Sequence, residues 1–219
     1  MRVLKFTYID IRRAKPFRWV LPYLALAVFI TTQEEEASFF GLTYCLFLGI
    51  ILSSLPLYGY RDAENGFLKM LPGKPGDEIK AHFLFGFGMI ALCTACGVLA
   101  TVMANLIHPI SGQMEVFFHY GMLPILSGCA LLVVGIEDTL LCVFREEGMR
   151  VIQLIRIVPG FLFLFSAAYL TDAEKMPQAV ITAASVFVRQ HSILIGFACV
   201  VIYIGIAAVA SAISVRQDG

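Results

Sequence analysis

The sequence predicts an all-α fold: a polytopic membrane protein with six transmembrane helices and both termini in the cytoplasm, forming one domain over residues 1–219. Three observations predict it. Hydrophobic residues make up 59% of the chain and charged residues only 15%, against about 25% charged in an ordinary soluble domain, so water is not the main solvent of the fold. Apolar runs recur at about the ~20 residues a helix needs to cross a hydrocarbon core of roughly 30 Å. Lysine and arginine gather in alternate connections, the pattern that orients membrane helices.

The runs extend from Phe17 to Thr32, Ser38 to Tyr58, Ala81 to Leu106, Val116 to Ile136, Val151 to Thr171 and His191 to Ser214, the first being the shortest. Lipid admits only helices and closed barrels, because every backbone polar group must be satisfied internally. None of the runs shows the period-two alternation of a barrel strand, so each is expected as a helix. Pro22, Pro56, Pro124 and Pro159 fall within or near them and are expected to bend them. There is no internal repeat and no inverted-repeat signature of a secondary transporter, so a symmetric site would need a second subunit.

Orientation follows from the cations. Arg2, Lys5, Arg12, Arg13, Lys15 and Arg18 precede the first run, and Arg61, Lys69, Lys74 and Lys80 follow the second. Arg145, Arg150 and Arg156 surround the fourth connection, with Arg216 near the C-terminus. The other side holds only Lys175 and Arg189, and its first loop carries Glu34, Glu35 and Glu36. The richer side is the cytoplasmic one, which places the chain in the cell membrane with both termini inside. A removable signal sequence is not expected, because the first run is preceded by a basic segment and followed by no small-residue cleavage pattern.

A net charge of zero excludes the basic surface that nucleic acid binding draws on. The six cysteines, Cys45, Cys93, Cys96, Cys129, Cys142 and Cys199, all lie in apolar runs. Only Cys93 and Cys96 have CxxC spacing, without the polar neighbours and further ligands that metal or redox chemistry needs. They are expected as small apolar packing residues, and the chain is expected to hold no metal or cofactor.

Three segments lie outside the six runs. Residues 1–16 combine Val3, Leu4, Phe6, Tyr8, Ile9 and Ile11 with the N-terminal cations, which fits either a cytoplasmic helix lying on membrane lipid or a plain positive tail. In the 59–80 loop, Phe67, Leu68 and Leu71 stand at helical spacing ahead of Pro72, an apolar face on which a partner protein can dock. Gly76, Asp77 and Glu78 then form a cap-like signal before the third span, where acids suit the helix dipole. The outer 172–190 segment, with Ala179, Val180, Ile181, Val186 and Phe187, is too short to span and is read as an interfacial or re-entrant helix or a packing helix.

The run Glu64-Asn65-Gly66-Phe67 through Leu71-Pro72, followed by Asp77-Glu78-Ile79-Lys80, resembles the cytoplasmic loop of type-two ATP-binding-cassette (ABC) exporter permeases. The small six-helix members near the phenol-soluble-modulin exporters are included in the likeness. Phe144-Arg145-Glu146-Glu147-Gly148-Met149-Arg150 resembles that family's basic, Gly-containing turn between spans four and five. Pro72-Gly73-Lys74-Pro75 departs from the family, which has Pro, an aliphatic and a Ser-Arg-Lys-like turn there.

The resemblance implies a permease subunit that pairs with a second copy or a paralogue. It implies that Asn65, Gly66, Phe67, Leu68, Leu71 and Pro72 contact a separate ATPase subunit, which would hold ATP and Mg. Arg145, Glu146, Glu147 and Arg150 would form a second cytoplasmic contact. An apolar interior suits an amphipathic or hydrophobic cargo such as a peptide.

Other patterns compete with that reading. The Gly66 to Gly73-Lys74 stretch lacks phosphate-loop spacing, with Pro75 where Ser or Thr belongs. Glu146-Glu147 with Arg150 is one spacer short of the signature of intramembrane prenyl-protein metalloproteases. His82, His108, His119 and His191 form no matching metal set. That enzyme and a purely structural or regulatory subunit are the alternatives. Glu137 and Asp138 are path candidates if span four continues beyond Ile136; because Val116 to Ile136 already suffices to span, the membrane interface is the favoured place for both.

Overall fold

A computed structural model describes residues 2–15, 18, 21–22, 25–26, 44–53, 75–107, 121–140 and 178–217. The regular structure among them is helical. In chain order the elements are α1 (Arg2–Ala14), α2 (Tyr44–Ser53), α3 (Pro75–Ile107), α4 (Leu123–Leu140) and α5 (Gln178–Gln217). Three stretches are long and apolar enough to cross a membrane: Gly76–Met103 in α3, Leu123–Leu140 in α4 and Gln190–Ile213 in α5. They correspond to the third, fourth and sixth expected spans. Tyr44–Ser53 is a shorter apolar helix inside the second. The fifth, Val151 to Thr171, lies outside the described residues, as does most of the first.

Helix α1 forms, as one of the two readings of the N-terminal segment requires. Phe6 and Asp10, one turn apart, face inward, while Leu4, Tyr8 and Ile11 point out. Thr7 donates to the Ala81 carbonyl at 3.3 Å, and Phe6 packs on Ala81, so α1 lies against the start of α3. The helix ends in a left-handed cap: Lys15 sits at φ 43°, its N–H bonded to the Ile11 carbonyl at 3.1 Å. Pro16 follows and cannot continue the helix.

Helix α3 starts earlier than the apolar run that marks its span. Pro75 opens it, with φ already set for a helix, and Asp77 and Glu78 fill the first turn, where carboxylates meet the positive end of the dipole. Its 33 residues make a rod of about 50 Å. Helix α5, at 40 residues, is longer still, about 60 Å. The outer segment therefore differs from expectation over 178–190, where it continues into α5 without a break. An unbroken helix cannot fold back into the bilayer, so this part is an extension of the last span. The bend expected at Pro124 is also displaced. The backbone bends at Met122, two residues ahead of Pro124, and α4 begins one residue later.

The main core joins Leu46 and Ile50 of α2, Phe83 and Ile90 of α3, Val134 of α4 and Tyr203 of α5. A second cluster packs Cys45, Leu48 and Leu52 against Phe85, Met89, Cys93 and Cys96. The three thiols there are free and buried, in keeping with a packing role. Cys199 is buried too, Cys129 is exposed, and Cys142 lies outside the described residues. Close contacts set the directions. A Cβ on Gly196 would lie 2.7 Å from the Pro124 carbonyl and one on Gly128 2.8 Å from Cys199 Cβ, while Tyr203 lies over Gly135, so α4 and α5 run parallel. Ser211 donates to the Gly76 carbonyl at 3.3 Å, which makes α5 antiparallel to α3. The N-terminal end of α3 thus meets the C-terminal ends of α4 and α5.

Candidate functional site

At this common end three helices converge on one imidazole. His82 lies in the second turn of α3 and is 2% exposed. Its Nε2 is 3.2 Å from Asp138 Oδ1 of α4, a hydrogen-bond distance. Its Nδ1 is 3.6 Å from Asp10 Oδ2 of α1, an ion-pair separation. Only the imidazolium carries a proton on both nitrogens and so faces both carboxylates favourably. Asp10 is 2% exposed and Asp138 0%, so both are shut away from the surface. Such groups are tolerated in an apolar interior when they pair with one another.

The neighbours are shaped to this cluster. A Cβ on Gly86 would lie 3.1 Å from Asp138 Oδ2, 3.1 Å from Tyr203 Oη and 2.9 Å from Val134 Cγ1, so glycine is what lets the carboxylate approach α3. Tyr203 donates to the Phe83 carbonyl at 2.7 Å, and its ring meets Phe83 at 5.4 Å between centroids. It wedges the ends of α3, α4 and α5 together. Tyr203→Phe keeps the ring and removes one buried hydrogen bond, so a stability loss of about 1 kcal/mol is expected, read as a small fall in melting temperature in detergent. A fall as large as that of a core truncation would mean the hydroxyl holds more than the Phe83 carbonyl.

Glu137 and Asp138 lie inside the helix packing, near the C-terminal end of α4. Helix α4 does not end at Ile136 but continues through both to Leu140, and both are 0% exposed. There Asp138 pairs with His82. Of the remaining residues singled out in the sequence, Asn65, Gly66, Phe67, Leu68, Leu71 and Pro72, and Arg145, Glu146, Glu147 and Arg150, all lie outside the described residues. So do His108 and His119, while His191 accompanies its own helix, 3.0 Å from the Phe187 carbonyl. Among the described residues no group of three or more His, Cys, Asp and Glu gathers as a metal site.

Asp10, His82 and Tyr203 do not stand out as site residues in the sequence. A signal exists for the first: Asp10 is the lone acid in a basic segment. His82, the first histidine of the chain, stands where charged residues give way to the third apolar run.

Long apolar helices with a buried ionic cluster at one end define a polytopic membrane protein whose helices are tied by charge as well as by packing. The chain belongs to the ABC-2 family of transporter proteins, whose family description, ABC-2 family transporter protein, matches residues 9–216. It is accordingly the membrane permease component of an ABC transporter and not an enzyme, and membership implies an ABC ATPase partner and a pair of permeases. None of the curated proteins and none of the solved structures compared matches the chain.

Proposed function

We propose that the chain is the permease subunit of an ATP-driven exporter in the cell membrane, forming a path for an amphipathic or hydrophobic cargo such as a peptide. The 59–80 loop couples it to a separate ATPase subunit, which binds ATP and Mg. The observation that carries this reading is the family match over nearly the whole chain, residues 9–216. The loop runs directly into α3, whose helix begins at Pro75. A push delivered to the start of α3 acts on a rod of about 50 Å. Asn65, Gly66, Phe67, Leu68, Leu71 and Pro72 make that contact, and Arg145, Glu146, Glu147 and Arg150 make the second.

Both termini are cytoplasmic and six spans are present in this reading. The parallel course of α4 and α5 supports it, because a chain that leaves α4 at one face must return to the other before α5 starts, and Val151 to Thr171 is the apolar run available for that crossing. Two copies, or the chain and a paralogue, enclose the path. The loop's likeness to those of phenol-soluble-modulin exporters favours a peptide cargo.

The test is co-purification from native membrane. Burying Phe67 and Leu71 at the ATPase surface would contribute about 1.5–3 kcal/mol each. Phe67→Asp combined with Leu71→Asp is therefore expected to weaken the partner by roughly 100-fold or more and to remove co-purifying ATP hydrolysis. A folded chain that purifies alone in both forms would overturn the coupling-loop assignment.

A further inference from the structure

We infer that Asp10, His82 and Asp138 form a rigid joint that makes α1, the N-terminal end of α3 and the C-terminal end of α4 move as one body during transport. The inference rests on the permease reading and names positioning residues within it.

The geometry carries the argument. The three side chains come from three different helices, and His82 lies 3.2 Å from Asp138 and 3.6 Å from Asp10. The apolar and hydrogen-bonded attachments of α1 fall close by: Phe6 packs on Ala81 and Thr7 reaches the Ala81 carbonyl, both within one residue of His82. These contacts, at Ala81 and His82, lie side by side on α3.

Apolar contacts alone would hold such a patch poorly. Where lipid tails compete, exchanging one apolar neighbour for another changes the free energy little, so helices bound only by aliphatic side chains can slip. An ionic contact between buried groups is directional, and sliding by a single residue would pull a carboxylate away from its imidazole. His82 also stands seven residues after Pro75, where α3 emerges from the proposed coupling loop. Motion entering α3 from the loop reaches this joint within two turns and is shared at once with α1 and α4.

The experiment is a distance measurement between spin labels carried on non-canonical amino acids at positions 4 and 99, both of which are exposed. The labelled chain is diluted with unlabelled chain and placed in nanodiscs, with its ATPase partner, in the nucleotide-free and ATP-vanadate-trapped states. The expected result is one narrow distribution, the same in both states. In Asp10→Leu/His82→Leu/Asp138→Leu, which leaves no buried charge of the triad uncompensated, the distribution is expected to broaden at least twofold. A wild-type distribution that shifts or splits on trapping overturns the inference, because the joint then opens. A triple variant that folds and stays as narrow as wild type overturns it as well, since packing then suffices.

The wild-type arm stands even if the triple variant does not fold. If no ATPase assembles, the permease reading fails visibly and separately, while the nucleotide-free comparison of wild type with the variant still decides whether charge holds α1 in place.

Discussion

Replacing His82 by leucine is expected to lower the melting temperature of the purified chain by roughly 6–20 °C, from a loss of about 3–5 kcal/mol. Leucine is close to histidine in volume, so the cost is not a cavity. It arises because Asp10 and Asp138, 2% and 0% exposed, both lose the His82 contact they share. A buried carboxylate that loses a charged contact is less well stabilised in an apolar surround. Removing all three charges together is expected to restore most of the loss, because a buried ionic group replaced as a unit by apolar side chains is often neutral. The measurement is thermal denaturation in detergent at fixed pH, with the three single variants and the triple side by side. If the single variant melts with wild type, the triad contributes nothing to stability; if the triple is worse than the single, packing outweighs charge at this joint.

Gly196→Leu is expected to have the next largest effect. A Cβ at this position would lie 2.7 Å from the Pro124 carbonyl oxygen and 2.9 Å from Pro124 Cβ. Both belong to a proline-fixed turn that cannot yield as a flexible side chain would. Overpacking typically costs 1–3 kcal/mol, and here α4 and α5 must separate to accommodate it. In a bilayer that separation forfeits the close backbone approach that drives small-residue helix pairs together. A fall in melting temperature of about 5 °C or more is expected. Gly205→Leu on the same helix is the control, because among the described residues nothing lies within 4 Å of a Cβ there. Equal effects at the two glycines would show that helix propensity, not the α4 contact, decides the outcome.

The two cases differ in how far the sequence announces them. Gly196 is one of 18 glycines, and no local pattern marks it as the one that touches a proline carbonyl. In the sequence His82 is one of four histidines that form no matching metal set, and nothing marks its partners. Its actual partners are carboxylates 56 residues ahead and on the N-terminal helix, and nothing local brings these together. An apolar stretch of sufficient length precedes Asp138, which favours the membrane interface for it. That length measures a helix against a bilayer and takes no account of what neighbouring helices offer.

Helices crossing a membrane, and the places of three of them, were determined by the sequence by itself, because lipid imposes both the length of an apolar run and the internal satisfaction of its backbone. The start of α3 at an acidic first turn was also legible, since the dipole acts within a few residues. The union of Asp10, His82 and Asp138, the continuity of α5 back to Gln178, and the seating of Gly86 and Gly196 were decided only by the tertiary structure. A buried charge is stabilised by whichever group packing brings within about 4 Å, and that distance depends on how whole helices dock against one another.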